Sequence, residues 1–182
     1  MLQAFAFERV GVVVADIYFV DPDPPPGQEG PERGVRVEVR LMERPDHDGS
    51  IYASRPILVG RPVWRADLLE SVEGRPGSYD RTHHHPGMTG WEPGDRRYER
   101  ALSADPLAWL AGRLRDLPGL VDQAGLPPGT VDDEDVRELR ASTDEIVATV
   151  ERLLARVRAG ELGRAPAADG DGPSTSARVG WL

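Results

Sequence analysis

The hydrophobic period of this chain changes once, and that change limits the fold more than any other feature. In the first half apolar residues recur at every second position. Val35, Val37, Val39 and Leu41 lie on one side of an extended chain, and Arg36, Glu38 and Arg40 on the other. This alternation marks an antiparallel strand with one solvated face. In the second half the spacing runs by threes and fours through Val136, Leu139, Thr143, Ile146, Val150, Leu153 and Val157. Such spacing makes one apolar stripe along a helix. A block of strands followed by a block of helices predicts an α+β fold, with a mostly antiparallel sheet covered by two C-terminal helices.

The remaining elements follow from local signals. Residues 2–20 are rich in β-branched and aromatic side chains, and Gly11 is the natural place for a break or bulge between two strand pieces. The second piece is apolar on both faces, as a central strand is. Residues 21–34 hold five prolines and three glycines before Val35 and read as a long loop. A turn over 45–50 leads to a third strand over 51–59, which Pro56 places at an edge or interrupts. Residues 63–73 fit either a strand or a helix, and their short length and flanking Arg-Pro pairs favour a strand.

Asp105-Pro106 has the form of an N-cap followed by proline at the first helical position, and Pro118-Gly119 closes the leucine pattern that follows. Asp132 or a neighbour caps a longer helix reaching about Ala159, with acids at its start and arginines at its end, as the helix dipole favours. Its stripe has two readings: packing on the sheet, or a homodimer seam through helix 132–159. The expected layout is one α+β domain over 1–160, with the sheet in about 1–75, a histidine-containing loop over 76–104 and helices over 105–159. Residues 161–182, rich in Ala, Gly, Pro, Asp and Ser, read as a flexible tail.

Composition removes several chemistries. The chain has no Cys, no Lys and no Asn. Thiolate nucleophiles, Cys-bound zinc, Schiff bases, P-loop phosphate binding and protein-kinase catalysis are therefore excluded. The net charge is −9, and the densest basic cluster, Arg96-Arg97-Tyr98-Glu99-Arg100, is interrupted by an acid. Neither nucleic acid nor an anionic membrane is an expected partner. The N-terminus lacks the basic start of a secretory signal, and the longest apolar run, Val10 to Val20, contains Asp16. A cytoplasmic protein is the expectation.

What chemistry remains concentrates in His83-His84-His85-Pro86, which holds three of the four histidines. Pro86 disfavours helix at His85, so the backbone there is expected to be extended. In an extended chain His83 and His85 project to one side and His84 to the other. Two neutral imidazoles on one side suit a divalent metal: zinc, iron or manganese.

The third ligand is expected nearby at Asp80 or Asp95, with Glu92, Asp67, Glu70 and His47 as further carboxylate or imidazole candidates. A metal with an open position activates water, and Glu92 is the candidate general base of a small metal-dependent hydrolase. Arg81, Trp91 and Arg96 are the candidate substrate-binding residues, the arginines for an anionic group and the indole as a wall. The competing reading is a non-enzymatic interaction or dimerisation module in which the histidines only anchor a loop.

The run from Asp80-Arg81 through the histidines to Gly90-Trp91-Glu92-Pro93 and Asp95-Arg96 resembles a family of uncharacterised bacterial proteins over about the middle third of the chain. The resemblance implies no particular activity.

Overall fold

The structure is a computed structural model that describes residues 1–43, 49–50, 52–54 and 56–166. Five antiparallel strands form a sheet in simple sequence order: β1 (Leu2–Ala6), β2 (Val10–Val20), β3 (Pro31–Glu43), β4 (Leu58–Ser71) and β5 (His83–His85). A small hairpin, β6 (Met88–Thr89) and β7 (Glu92–Pro93), follows. Four helices complete the described residues: α1 (Arg100–Ala104), α2 (Pro106–Arg115), α3 (Leu117–Gln123) and α4 (Asp133–Arg158). The α+β arrangement expected from the change of period is therefore present.

Alternation decides which face is covered. Val12 and Val14 of β2, Val35, Val37 and Val39 of β3, and Trp64, Ala66 and Leu68 of β4 share one face and are all fully buried. The stripe of α4 covers that face: Leu139, Ile146, Val150 and Leu153 are each 0% exposed, and the helix packs on β2, β3 and α2. Of the two readings of the stripe, packing within the chain is the one these side chains adopt.

The ends of α4 are fastened as the sequence predicts. Asp132 accepts from the backbone N–H of Asp135, and the Asp135 carboxylate accepts in return from that of Asp132. Asp135 also accepts from the backbone N–H of Arg9 at 2.9 Å, which ties the helix start to the β1–β2 turn. Asp105 caps α2 through Ala108 N–H, with Pro106 opening the helix.

Several boundaries differ from expectation for physical reasons. The break between β1 and β2 is a turn closed by Phe7 N–H on Val10 O, so Gly11 lies inside β2 opposite Ala6. No strand covers the described residues between 52 and 57. Tyr52 and Ile57 are exposed there, and β4 starts at Leu58. β4 absorbs the ambiguous segment as strand, and Pro62 sits where the β3–β4 register shifts, which accommodates the missing donor. Gly34 permits the close approach of these two strands, because a Cβ there would stand 2.0 Å from Leu68 O.

Pro118 does not end the helical region. It opens α3, whose start is capped by Asp116 on Gly119 N–H, so the chain turns there and continues as helix. A short α1 occupies the end of the segment read as loop, and two expected helices become four among the described residues. His47, most of the 45–50 turn and the tail beyond residue 166 lie outside the described residues.

Candidate metal centre

The histidine triplet is the fifth strand of the sheet, and its register builds the site. His83 pairs with Asp67, His84 with Ala66, and His85 with Arg65. Because β4 alternates, Ala66 and His84 face the core while Asp67, Arg65, His83 and His85 face the opposite side. The next strand adds Arg36 opposite Asp67 and Glu38 opposite Arg65. Two cross-strand rows result, Arg36–Asp67–His83 and Glu38–Arg65–His85, on the sheet face away from the helices.

Asp67 is the hub. Its carboxylate is 1% exposed and accepts from Arg36 Nε at 2.7 Å, while Arg65 Nε lies 3.0 Å from its Oδ2. The same Oδ2 is 3.5 Å from His83 Nε2 and 3.6 Å from His85 Nε2. Burial alone would push this carboxyl up, but the two guanidiniums outweigh it and hold the group well below the usual range.

Backbone carbonyls fix both imidazoles. His83 Nδ1 donates to Arg81 O at 2.8 Å, and His85 Nδ1 donates to Gly94 O at 2.7 Å. A carbonyl only accepts, so each Nδ1 carries a proton, and with that tautomer each Nε2 turns a lone pair towards Asp67. Burial pushes His83 down to about 4 against the pull of Asp67, so its ring is neutral at ordinary pH. On His85 the lone pair accepts from Arg65 Nη2 at 3.0 Å.

This is the outer arrangement that metal-binding histidines use, with one N–H held by a carbonyl and the other nitrogen unprotonated, although on His85 Arg65 now occupies it. The spacing also fits. Ligand atoms about 2.1 Å from a tetrahedral ion stand roughly 3.4 Å apart, close to the 3.5 Å and 3.6 Å found here. Asp67, His83 and His85 are all buried and form the group of three potential ligands among the described residues.

His84 takes the other side, packed against the stacked pair of Trp64 and Trp109, with its ring centroid 5.0 Å from the Trp109 indole. Its Nε2 bonds Glu99 at 2.8 Å, and Trp109 Nε1–H donates to the other oxygen of Glu99. Burial lowers its basicity against the influence of Glu99. The division of the triplet that the extended backbone predicts is therefore present.

Of the other expected site residues, Arg96 is near enough for its charge to act on His83 and Arg81 holds His83 through its carbonyl, while the rest lie apart from this group. Asp80 closes the turn after β4, accepting from Ser78 Oγ at 2.7 Å and Ser71 N–H at 3.1 Å. Asp95 and Glu92 are exposed, Glu92 in β7. Trp91 is 59% exposed and carries the Arg40 guanidinium over its ring. Arg81 donates to Gly27 O and stands 3.7 Å from Glu32, and Arg96 pairs with Asp21 at 2.8 Å. Glu70 pairs with Arg158. The structure brings together His83, His85 and the remote candidate Asp67, with Arg36 and Arg65, which the sequence did not single out.

The signal for them was the alternation of Trp64-Arg65-Ala66-Asp67-Leu68, which sends Arg65 and Asp67 away from the core together. No helix among the described residues is long and apolar enough to cross a membrane. Compared with known proteins, the chain matches no family model, no curated protein and no solved structure.

Proposed function

We propose that this protein binds one divalent transition metal through Asp67, His83 and His85, and that the bound ion serves a small hydrolase. One observation carries the reading: two imidazoles, each held at Nδ1 by a carbonyl, turn their unprotonated Nε2 atoms on one carboxylate oxygen at 3.5 Å and 3.6 Å. Two His and one carboxylate suit zinc, iron(II) or manganese and leave a coordination position for water. The ion would polarise that water and lower its pKa. Arg65 has to leave His85 Nε2 for the ion to bind, so affinity is the quantity to measure.

The experiment is metal analysis of untagged protein, followed by zinc titration against a chromophoric chelator. About one ion per chain supports the reading, with loss of that ion in His83→Ala and His85→Ala. Folded wild-type protein that takes up no zinc, iron or manganese would remove it.

A second reading has its own observation. Arg65 already donates to His85, and both guanidiniums already compensate Asp67, so the cluster closes on itself as a buried network. In that case the histidines anchor the segment from Pro86 to Tyr98 over the sheet, and the protein acts through its surface. Zinc uptake separates the two.

A further inference from the structure

The three ligand side chains of the centre are closed to water. Asp67 is 1% exposed, and His83 and His85 are each 2% exposed. A hydrated ion reaches such atoms only by displacing what covers them. The strand register identifies part of that cover. Arg97 pairs with His84 through two backbone hydrogen bonds, of 2.8 Å and 3.0 Å, along the outer edge of β5. Alternation then turns Arg96 and Tyr98 to the side of His83 and His85. The Tyr98 ring lies 5.6 Å from the His83 ring, and Arg96 is near enough for its charge to act on His83 and Arg36.

A second segment holds both side chains in place. The loop of residues 21–30, between β2 and β3, makes three contacts around the histidine strand. Asp21 accepts from Arg96 at 2.8 Å, Gln28 Oε1 accepts from the Tyr98 hydroxyl at 3.1 Å, and Gly27 O accepts from Arg81 at 2.9 Å. Among the described residues no backbone–backbone hydrogen bond joins this loop to β5 or to the segment after it. Pro22, Pro24, Pro25 and Pro26 have no N–H to add to a ladder, so the loop is an overlay and not a further strand. Side-chain contacts near a surface are individually weak, and the loop can lift without breaking the sheet. Glu32 lies in β3, 3.7 Å from Arg81 and within the field of Arg96, so Arg96 keeps a counter-charge when the loop lifts.

We propose that Arg96 and Tyr98, latched by the 21–30 loop through Asp21 and Gln28, are the lid of the metal centre, and that an ion enters and leaves only when this latch is released. The proposal rests on the metal reading above and adds the route to the same site. Its kinetic signature follows from where the latch acts. The same contacts close the site with and without the ion. Weakening them raises the open fraction of both forms, so uptake and release quicken together and the affinity, their ratio, stays as it was.

The test is stopped-flow zinc uptake by the metal-free full-length protein, and zinc release into excess chelator, in the wild type and in the double variant Asp21→Asn, Gln28→Ala. Asn keeps the oxygen that the Asp23 N–H bonds and removes the charge that holds Arg96. Both rates should rise about fivefold, with zinc affinity within about twofold of the wild type. Unchanged rates overturn the lid and leave the metal reading standing. A change of affinity carried by release alone overturns it as well, because Asp21 and Gln28 then support the ligands instead of fastening a cover.

A second readout needs no metal. Diethyl pyrocarbonate acylates accessible unprotonated imidazoles, and the chain has no Lys or Cys to compete. Mass spectrometry should find His83 modified about fivefold faster in the double variant, with His84, on the helix side of β5, unchanged. If no zinc is taken up, the metal reading falls and this rate alone judges the cover: faster modification of His83 supports it, and equal modification overturns it. If the double variant does not fold, Tyr98→Phe keeps the ring on His83, removes the hydroxyl bonded to Gln28, and should shift each measurement in the same direction by a smaller factor.

Discussion

His83 and Asp67 are cross-strand neighbours whose facing atoms, Nε2 and Oδ2, lie 3.5 Å apart with no proton available from the neutral imidazole. Two lone pairs held this close are tolerable because Arg36 and Arg65 neutralise the carboxylate from its other sides. Asp67→Asn therefore removes the one anion both guanidiniums share. Breaking a buried pair from one side typically costs about 3–5 kcal/mol, because the remaining charge is left uncompensated. Urea unfolding of the metal-free variant should show a loss of that order. A loss below about 1 kcal/mol would mean that Arg36 and Arg65 reach water once released.

His83 makes the stability of the metal-free protein depend on pH. Its ordinary value is 6.5, and burial lowers it to about 4 in the folded chain despite Asp67. Between those values the unfolded chain takes up a proton that the folded chain refuses. The contribution is fully present above about pH 6.5 and is lost as the pH falls towards 4, by roughly 3 kcal/mol in total. Unfolding curves in chelator at several pH values should show this slope, and His83→Gln should flatten it. An unchanged slope in the variant would assign the dependence to other groups.

The sheet face, the caps of α2 and α4 and the splitting of the triplet were legible because each follows from local rules. Alternation places Val35 and Val37 on one face, Asp105 and Asp132 are side-chain caps, and Pro86 keeps His85 extended. The third ligand was legible only as one name among several. Asp67 is 16 residues before His83, and what joins them is the β4–β5 register, which depends on how the intervening turn closes. Asp80 looked closer in sequence, but its carboxylate is used in closing that same turn. The third strand failed because Pro56 and exposed Tyr52 and Ile57 offer no face to bury, while Leu58 onward pairs with β3.

Ile146 is 0% exposed under the sheet, which changes what a charge there should do. On a dimer seam Ile146→Glu would separate two folded chains. Here it places an unpaired carboxylate among Val12, Val37 and their neighbours in the core cluster, at a cost of several kcal/mol. Circular dichroism should show loss of the folded signal. A folded, dissociated variant in light scattering would place Ile146 at a surface instead.

His84 offers the sharpest separation of packing from ligation, because it is adjacent to both candidate ligands and faces the other way. Its ring packs against the stacked Trp64 and Trp109 indoles, and its buried Nδ1 has no hydrogen-bond partner. His84→Phe keeps an aromatic ring there and removes that orphaned nitrogen, at the expense of the bond to Glu99. Glu99 is 45% exposed and regains water, so the net change should lie within about 1 kcal/mol. His84→Ala instead leaves a cavity beside the stacked indoles and should cost about 2–4 kcal/mol. Both variants, where folded, should keep the zinc stoichiometry of the wild type, while His85→Ala loses it. Zinc lost from a stable His84→Phe protein would mean that the ion sits on the helix side of β5, and Asp67 would no longer be its carboxylate.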